Sequence, residues 1–290
     1  MESTNQTVIQ EFIFVGLSRN PTTKILLFVL FFLIYILTIF GNGILIYIIG
    51  RSSNVHTAIT VPKLLGDLQL VEGRISYVGC MIQMYIGLFL GQTECILLAV
   101  MAFDRFVAIC NPLRYAVIMN WNSCKYIMAV TWVLSFFSSI LPVLSKPVHF
   151  CRGNKLNHFA CEILTVIKLA CGDTSYYDNV IAFQSLFTIL VPFSFIVVSY
   201  IYILKSVLWM RSVQRRTKAF STCASHLTIV IMFYGPSMTL YLGPSSNFSS
   251  SQEKYLSIFY GILTPMLNPL IYSLRNDEVK KAVRKILMSS

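Results

Sequence analysis

Apolar residues in this chain come in long unbroken blocks, not in alternation with polar ones. Six blocks stand out, at 25–50, 77–103, 126–145, 180–204, 221–242 and 256–274. Each supplies about 20 apolar residues, enough to cross a hydrocarbon core ~30 Å thick. Lipid offers no partner for a backbone amide, so only helices or a closed barrel can span it. Continuous blocks select helices. The expectation is an all-α, polytopic membrane bundle with six clear transmembrane helices. The first block carries no charge, and the second holds a single acid, Glu94. With no repeats or low-complexity tracts, the chain reads as one transmembrane domain over 1–290. An external segment 1–24 precedes the first helix at 25–50, and the remaining five helices and their loops occupy 77–274. A cytoplasmic tail, 275–290, closes it.

One stretch, 51–76, breaks the pattern. Its most apolar part, 58–71, is 14 residues long and spans only ~21 Å as a helix. It contains Lys63 and Asp67, each of which costs roughly 2.5–3.5 kcal/mol at mid-membrane. Pro62 removes a backbone donor as well. The segment fails as a full crossing. An external N-terminus with an internal tail, however, needs an odd number of crossings.

Composition agrees with the membrane reading. Hydrophobic residues make up 56% and charged ones 12%, about half the roughly 25% charge of a soluble domain; mean hydropathy is +0.68. The net charge of +11 does not point to nucleic acid, because the basic residues lie in short loops, where they orient a membrane protein. Arg105, Arg114 and Lys125 form one set, Lys205, Arg211, Arg215, Arg216 and Lys218 a second, and Arg275, Lys280, Lys281, Arg284 and Lys285 a third. These loops are therefore assigned to the cytoplasm. The alternate loops fall outside, and with them Cys80, Cys151, Cys161 and Cys171, in a compartment where disulfides persist. Four cysteines allow three pairings. Cys95, Cys110, Cys124 and Cys223 are expected to stay free. The sequons at Asn5 and Asn247 lie on the outer side, marking both as glycosylation candidates. Segment 1–24 has no apolar signal-peptide core, so the first span is expected to serve as its own insertion signal. The four histidines (His56, His149, His158 and His226) are scattered, so neither metal site, cofactor nor enzyme is expected. Intramembrane charge pairs of the kind transporters use are also missing.

Several motifs occur in order: "GN" at Gly41 and Asn42, "MAFDRFVAICNPLRY" at 101–115, and "HFACEILTVIKLACGDTS" at 158–175. "SY" at Ser199 and Tyr200, "KAFSTCASHLTIV" at 218–230 and "PMLNPLIYSLRN" at 265–276 follow. Together they resemble the olfactory receptors, a branch of the rhodopsin-like G-protein-coupled receptors. The resemblance covers about nine-tenths of the chain. It implies an odorant receptor of the cell membrane that binds a small hydrophobic odorant and activates a stimulatory heterotrimeric G protein.

The resemblance also implies roles for individual residues. Asp104 and Arg105, with Tyr200, Asn268, Pro269 and Tyr272, would form the switch toward the G protein. The bland readings are an interfacial charge pair and a plain proline kink. Asn42 and Glu94 would form a polar core, although the family's second-helix Asp has no counterpart here, and Glu94 reads equally as a protonated acid. Among the possible pairings the resemblance picks Cys80–Cys161 and Cys151–Cys171. Helical spacing puts Gly87, Leu88, Gly91 and Gln92 on one face of the Cys80 helix. Gln184, Ser185 and Thr188 would face them, with Tyr234, Ser237 and Tyr241 from the family's sixth helix. That set carries no fixed charge, which suits a small uncharged ligand oriented by one or two hydrogen bonds.

The resemblance breaks at the short stretch. In relatives the first inner loop runs into a second helix that ends near "V-P-K-M-L". Here His56-Thr57 is followed at once by Ala58-Ile59-Thr60-Val61-Pro62-Lys63. About one helix's worth of residues, ~20, is missing. Residues 58–79 would have to thread through protein, or the first span must invert. A second reading follows: a truncated, non-signalling receptor retained in the endoplasmic reticulum.

Overall fold

The blocks fold into helices whose lengths follow the membrane. In this computed structural model the described residues are 9–49, 55–70, 72–144, 148, 150–243 and 249–267, with side chains omitted at 41–49, 55–60, 141–144 and 250. In chain order the helices are α1 (Pro21–Ile49), α2 (Val55–Gln69), α3 (Tyr77–Cys110), α4 (Trp121–Leu144), α5 (Ser175–Leu208), α6 (Val213–Leu242) and α7 (Ser250–Ile258). Among the described residues five of these, α1, α3, α4, α5 and α6, are long and apolar enough to cross a membrane. The sixth expected span, 256–274, is helical as far as 267 and extends beyond the described residues. Serine side chains start three helices: Ser76 caps α3, Ser212 caps α6, and Ser249 forms a reciprocal capping box with Gln252 on α7. Each satisfies an amide that the helix start leaves orphaned.

Large apolar side chains cover the outside of the bundle. On α1, Leu26, Leu30, Leu33 and Leu37 are exposed while Phe31, Ile34 and Thr38 are buried, as expected where lipid rather than water meets the surface. Inside, Leu98 and Ala102 of α3 pack with Ile196 and Ile203 of α5 and with Ile229 and Phe233 of α6.

The short stretch resolves into a helix and a strand. α2 is 15 residues long, about 22 Å, and it closes only the outer part of the gap between α1 and α3. Val61, Leu64, Leu65 and Leu68 are buried against Phe31, Ile34, Phe159, Ala160 and Ile262. Its last turn lies beside the first turn of α1, where Lys24 Nζ donates to the Leu70 carbonyl at 2.8 Å. The two charges that argued against a crossing, Lys63 and Asp67, pair with each other. Lys63 also sits 5.8 Å from the Phe14 ring. They lie beneath a cap of strands, where each charge has a partner that offsets part of the cost of burying it.

That cap was not foreseen. Three short strands form it, β1 (Glu11–Phe14), β2 (Gly73–Ser76) and β3 (Lys155–Leu156), in the order β2-β1-β3. β1 runs antiparallel to β2 and parallel to β3. The segment before α1, the start of α3 and the loop between α4 and α5 are thus hydrogen-bonded on one face, which requires neither inversion of the first span nor threading of 58–79. Two glycines allow the geometry. A Cβ on Gly73 would lie 2.4 Å from Asp67 Cγ, and Gly16 turns the chain out of β1 at φ 71°, a region that L side chains avoid.

Two predictions follow from this packing. Leu64→Ala in detergent-solubilised protein should cost about 2–5 kcal/mol, the range for a buried leucine, and lower the melting temperature. Leu33→Ala, on the lipid-facing side, should leave it unchanged. In cells, gel-shift analysis should find glycans on both Asn5 and Asn247, which lie outside the described residues; a glycan on Asn247 alone would place the N-terminus on the wrong side for β1 to meet β2.

Candidate functional site

A cavity of about 120 Å³ lies under the cap, between α3, α5, α6 and the helix that follows Ser249. α3 contributes Gly87, Leu88, Gly91 and Gln92, and α5 contributes Gln184, Ser185 and Thr188. Ser237 and Tyr241 come from α6. The structure therefore brings nine of the ten residues predicted for the pocket around one cavity. Tyr234 is the exception: it is buried in the helix core, and its hydroxyl donates to the Cys95 carbonyl at 2.8 Å. Two π-helical turns, Leu186–Leu190 in α5 and Phe259–Leu263 after α7, place Thr188, Ile189, Tyr260, Gly261 and Ile262 on the lining. Such turns recur at functional sites because the extra residue rotates the following side chains.

The roof comes from the loop between α4 and α5. Cys80 at the start of α3 is disulfide-bonded to Cys161, and Cys151 to Cys171. Cys95, Cys110, Cys124 and Cys223 are free. The Cys161 N–H donates to Gln83 Oε1 at 3.0 Å, pinning the loop to α3 a second time. His158 to Ile163 then line the cavity from above. Apart from Cys161, which was expected to pair with Cys80, sequence reading missed these residues and, with them, Ser257 and Tyr260. Their only signal was the "HFACE" stretch, which was read for its cysteine and not for its neighbours.

Glu162 corrects the expectation of a lining without an ionisable acid. Its carboxylate accepts from the Tyr241 hydroxyl, from Tyr260 Oη at 3.3 Å and from the Leu164 N–H at 3.1 Å. Burial raises its pKa, outweighing these three donors, so the acid is held toward its neutral form. His158 is only 1% exposed. Its Nδ1 accepts the Ala160 N–H at 3.2 Å, which leaves Nε2 facing Ser257 Oγ at 3.3 Å. Burial, with Lys254 and Lys168 nearby, lowers its pKa from 6.5 to about 3.

At the opposite end of α3, Asp104 accepts a hydrogen bond from Tyr115 Oη at 2.8 Å; among the described residues no ion pair joins it to Arg105. Tyr200 stacks on His226, with its hydroxyl 2.9 Å from Nδ1, and His226 Nε2 reaches the Leu98 carbonyl at 3.1 Å. This tie joins α5, α6 and α3. His226 was counted only as a scattered histidine in the sequence. Glu94 is partly buried on α3. The Asn42 side chain, Asn268, Pro269 and Tyr272 lie outside the described residues.

The family model and the curated relatives agree on one family. The olfactory receptor family model matches residues 54–290. Human olfactory receptor 13H1 is 42% identical over 305 aligned positions, covering 99% of both chains. Mouse olfactory receptor 2A7 is 42% identical and covers 98% of this chain and 97% of its own. The human alignment exceeds the 290 residues of the present chain, so that relative contains residues this chain lacks. In fold, the chain resembles the crystal structure of squid rhodopsin, with a TM-score of 0.68 at 15% identity over 92% of this chain and 85% of the other.

The roof generates a pH prediction. Between pH 6.5 and about 3 the unfolded chain takes up a proton at His158 that the folded chain refuses. Stability should therefore fall as pH drops through that window, by at most about 1.4 kcal/mol per pH unit from this group. Glu162, with its pKa raised, contributes the opposite slope above its ordinary value, so the informative quantity is a difference. Melting curves of wild type and His158→Gln should converge as the pH is lowered; parallel curves would exclude the effect.

Proposed function

The chain belongs to the olfactory receptor family, and from that premise we propose that it binds a small, apolar, uncharged volatile in the cavity beneath the Cys161 loop and activates a stimulatory G protein through Arg105. The observation that carries this reading is the cavity itself. It is closed above by a disulfide-anchored loop, lined by small residues and side-chain amides, and walled by the same three helices that carry Asp104, Tyr200 and His226. Apolar concave sites with a few placed polar groups are the general form of small-molecule pockets. Asp104 held by Tyr115 leaves the neighbouring Arg105 outside any ion pair among the described residues, as a residue awaiting a partner's backbone would be.

A second reading also has an observation behind it. α2 is 15 residues long, and the aligned human relative carries residues that this chain lacks. The 15 residues of α2 cannot run alongside the whole of the 29-residue α1. In this reading the chain inserts, folds its outer half, and is retained in the endoplasmic reticulum without signalling.

One cell experiment tests both. A surface-tagged full-length chain, co-expressed with a stimulatory G protein and a cAMP reporter, should respond to a panel of small volatiles. A Cβ on Gly91 meets nothing within 4 Å, so Gly91→Phe should fill the cavity and abolish the response while surface signal persists. Arg105→Ala should also abolish it. Intracellular retention of the unmodified chain, with no cAMP from any volatile, would establish the second reading instead.

A further inference from the structure

Three side chains form a hydrogen-bond relay at one wall of the cavity. We propose that this relay, Gln92–Ser138–Gln184, selects a hydroxyl compound, an alcohol or phenol, as the ligand; the proposal rests on the reading of the cavity as the volatile-binding site. Gln184 Nε2 donates to the Ser138 carbonyl at 2.6 Å and lies 3.4 Å from Ser138 Oγ. A backbone carbonyl only accepts, so the nitrogen of this amide must face α4 and its Oε1 must face away. Ser138 Oγ has one proton, and it donates that proton to Gln92 Oε1 at 2.6 Å. The second amide is fixed in turn: oxygen toward Ser138, nitrogen away.

The relay leaves two capacities unused. Gln92 Nε2 is a donor on α3 and Gln184 Oε1 an acceptor on α5, with no partner for either among the described residues. Both residues line the cavity. The other hydroxyls of the lining are largely committed. Thr188 donates to the Gln184 carbonyl, Ser237 to the Phe233 carbonyl, and Tyr241 and Tyr260 to Glu162. A ligand hydroxyl both accepts and donates, so it satisfies Gln92 and Gln184 together. A carbonyl satisfies Gln92 alone, an ammonium Gln184 alone, and a hydrocarbon neither. A site that holds polar groups in fixed orientation discriminates against an analogue that leaves one unpaired.

Thermal melting of the full-length protein in nanodiscs, with heptan-1-ol, heptanal, heptylammonium and heptane, tests the assignment, since a bound ligand raises the transition in proportion to its affinity. Gly91→Phe, with the cavity filled, gives the background from partition into lipid. Above that background heptan-1-ol should bind about three- to tenfold tighter than heptanal, the worth of one hydrogen bond, with heptane weaker still. Gln184→Met removes the acceptor that only a hydroxyl ligand can use, and should erase the alcohol-over-aldehyde margin while leaving heptane little changed. Gln92→Met should bring heptanal down to heptane. Equal binding of alcohol and aldehyde in the unmodified protein, or a margin that survives Gln184→Met, would overturn the relay and leave the cavity reading standing. If no ligand exceeds the Gly91→Phe background, the cavity reading itself falls.

Discussion

The outer half of the molecule depends on the attachment of one loop to α3. Cys161 is bonded to Cys80 and its amide donates to Gln83, so this stretch of the α4–α5 loop has little freedom to lift. The attachment positions three things at once. It lowers His158 to Ile163 onto the cavity as a roof, and it holds Lys155–Leu156 alongside β1. It also presses Phe159 and Ala160 into the cluster that buries α2. A loop of this length, free in water, would sample many conformations. Closing it covalently removes that freedom from the unfolded chain and leaves the native contacts less entropy to overcome.

The same attachment explains how a shortened second helix is tolerated at all. A 15-residue helix in lipid cannot bury itself by crossing, and its polar ends must find protein. α2 finds it at the outer rim, where Leu70 meets Lys24, Lys63 meets Asp67 and Phe14, and Gly73 passes close to Asp67. The continuation into β2 then pairs with β1. With 15 residues against the 29 of α1, α2 can flank only part of that helix.

How much of this was readable in the chain divides along physical lines. The helices were legible because lipid demands about twenty continuous apolar residues, and 77–103 or 221–242 could hardly be anything else. The lining of α3 was legible for a related reason: Gly87, Leu88, Gly91 and Gln92 share a face by helical period alone. Tyr234 was misplaced because period gives a face but not a depth; its hydroxyl is consumed by the Cys95 carbonyl inside the core. The roof was not legible. Glu162 looks like an ordinary loop acid until the fold places two tyrosines from α6 and the last helix around it. The sheet was equally hidden, since its strands are two to four residues long and come from three distant parts of the chain.

The cavity and the inner end share α3, α5 and α6, and that sharing fixes how they communicate. Gln92 and Asp104 lie on one uninterrupted helix, about 18 Å apart along its axis. Gln184 and Tyr200 share α5, while Ser237 and His226 share α6. An α-helix transmits displacement stiffly, but each of these connections holds a place where it can yield. α5 has its π-helical turn beside the cavity, and α6 has Pro236 next to Ser237. Between the two ends His226 bridges Tyr200 and the Leu98 carbonyl, and Tyr234 of α6 reaches the Cys95 carbonyl of α3. A ligand that changes the spacing of α6 from α3 at Ser237 must therefore either stretch the Tyr234–Cys95 and His226–Leu98 contacts or bend α6 at Pro236. Under the proposed function, stretching those contacts would shift α6 relative to Arg105 and so couple an uncharged guest in the cavity to a charged group at the far end of α3, without any charge moving between them.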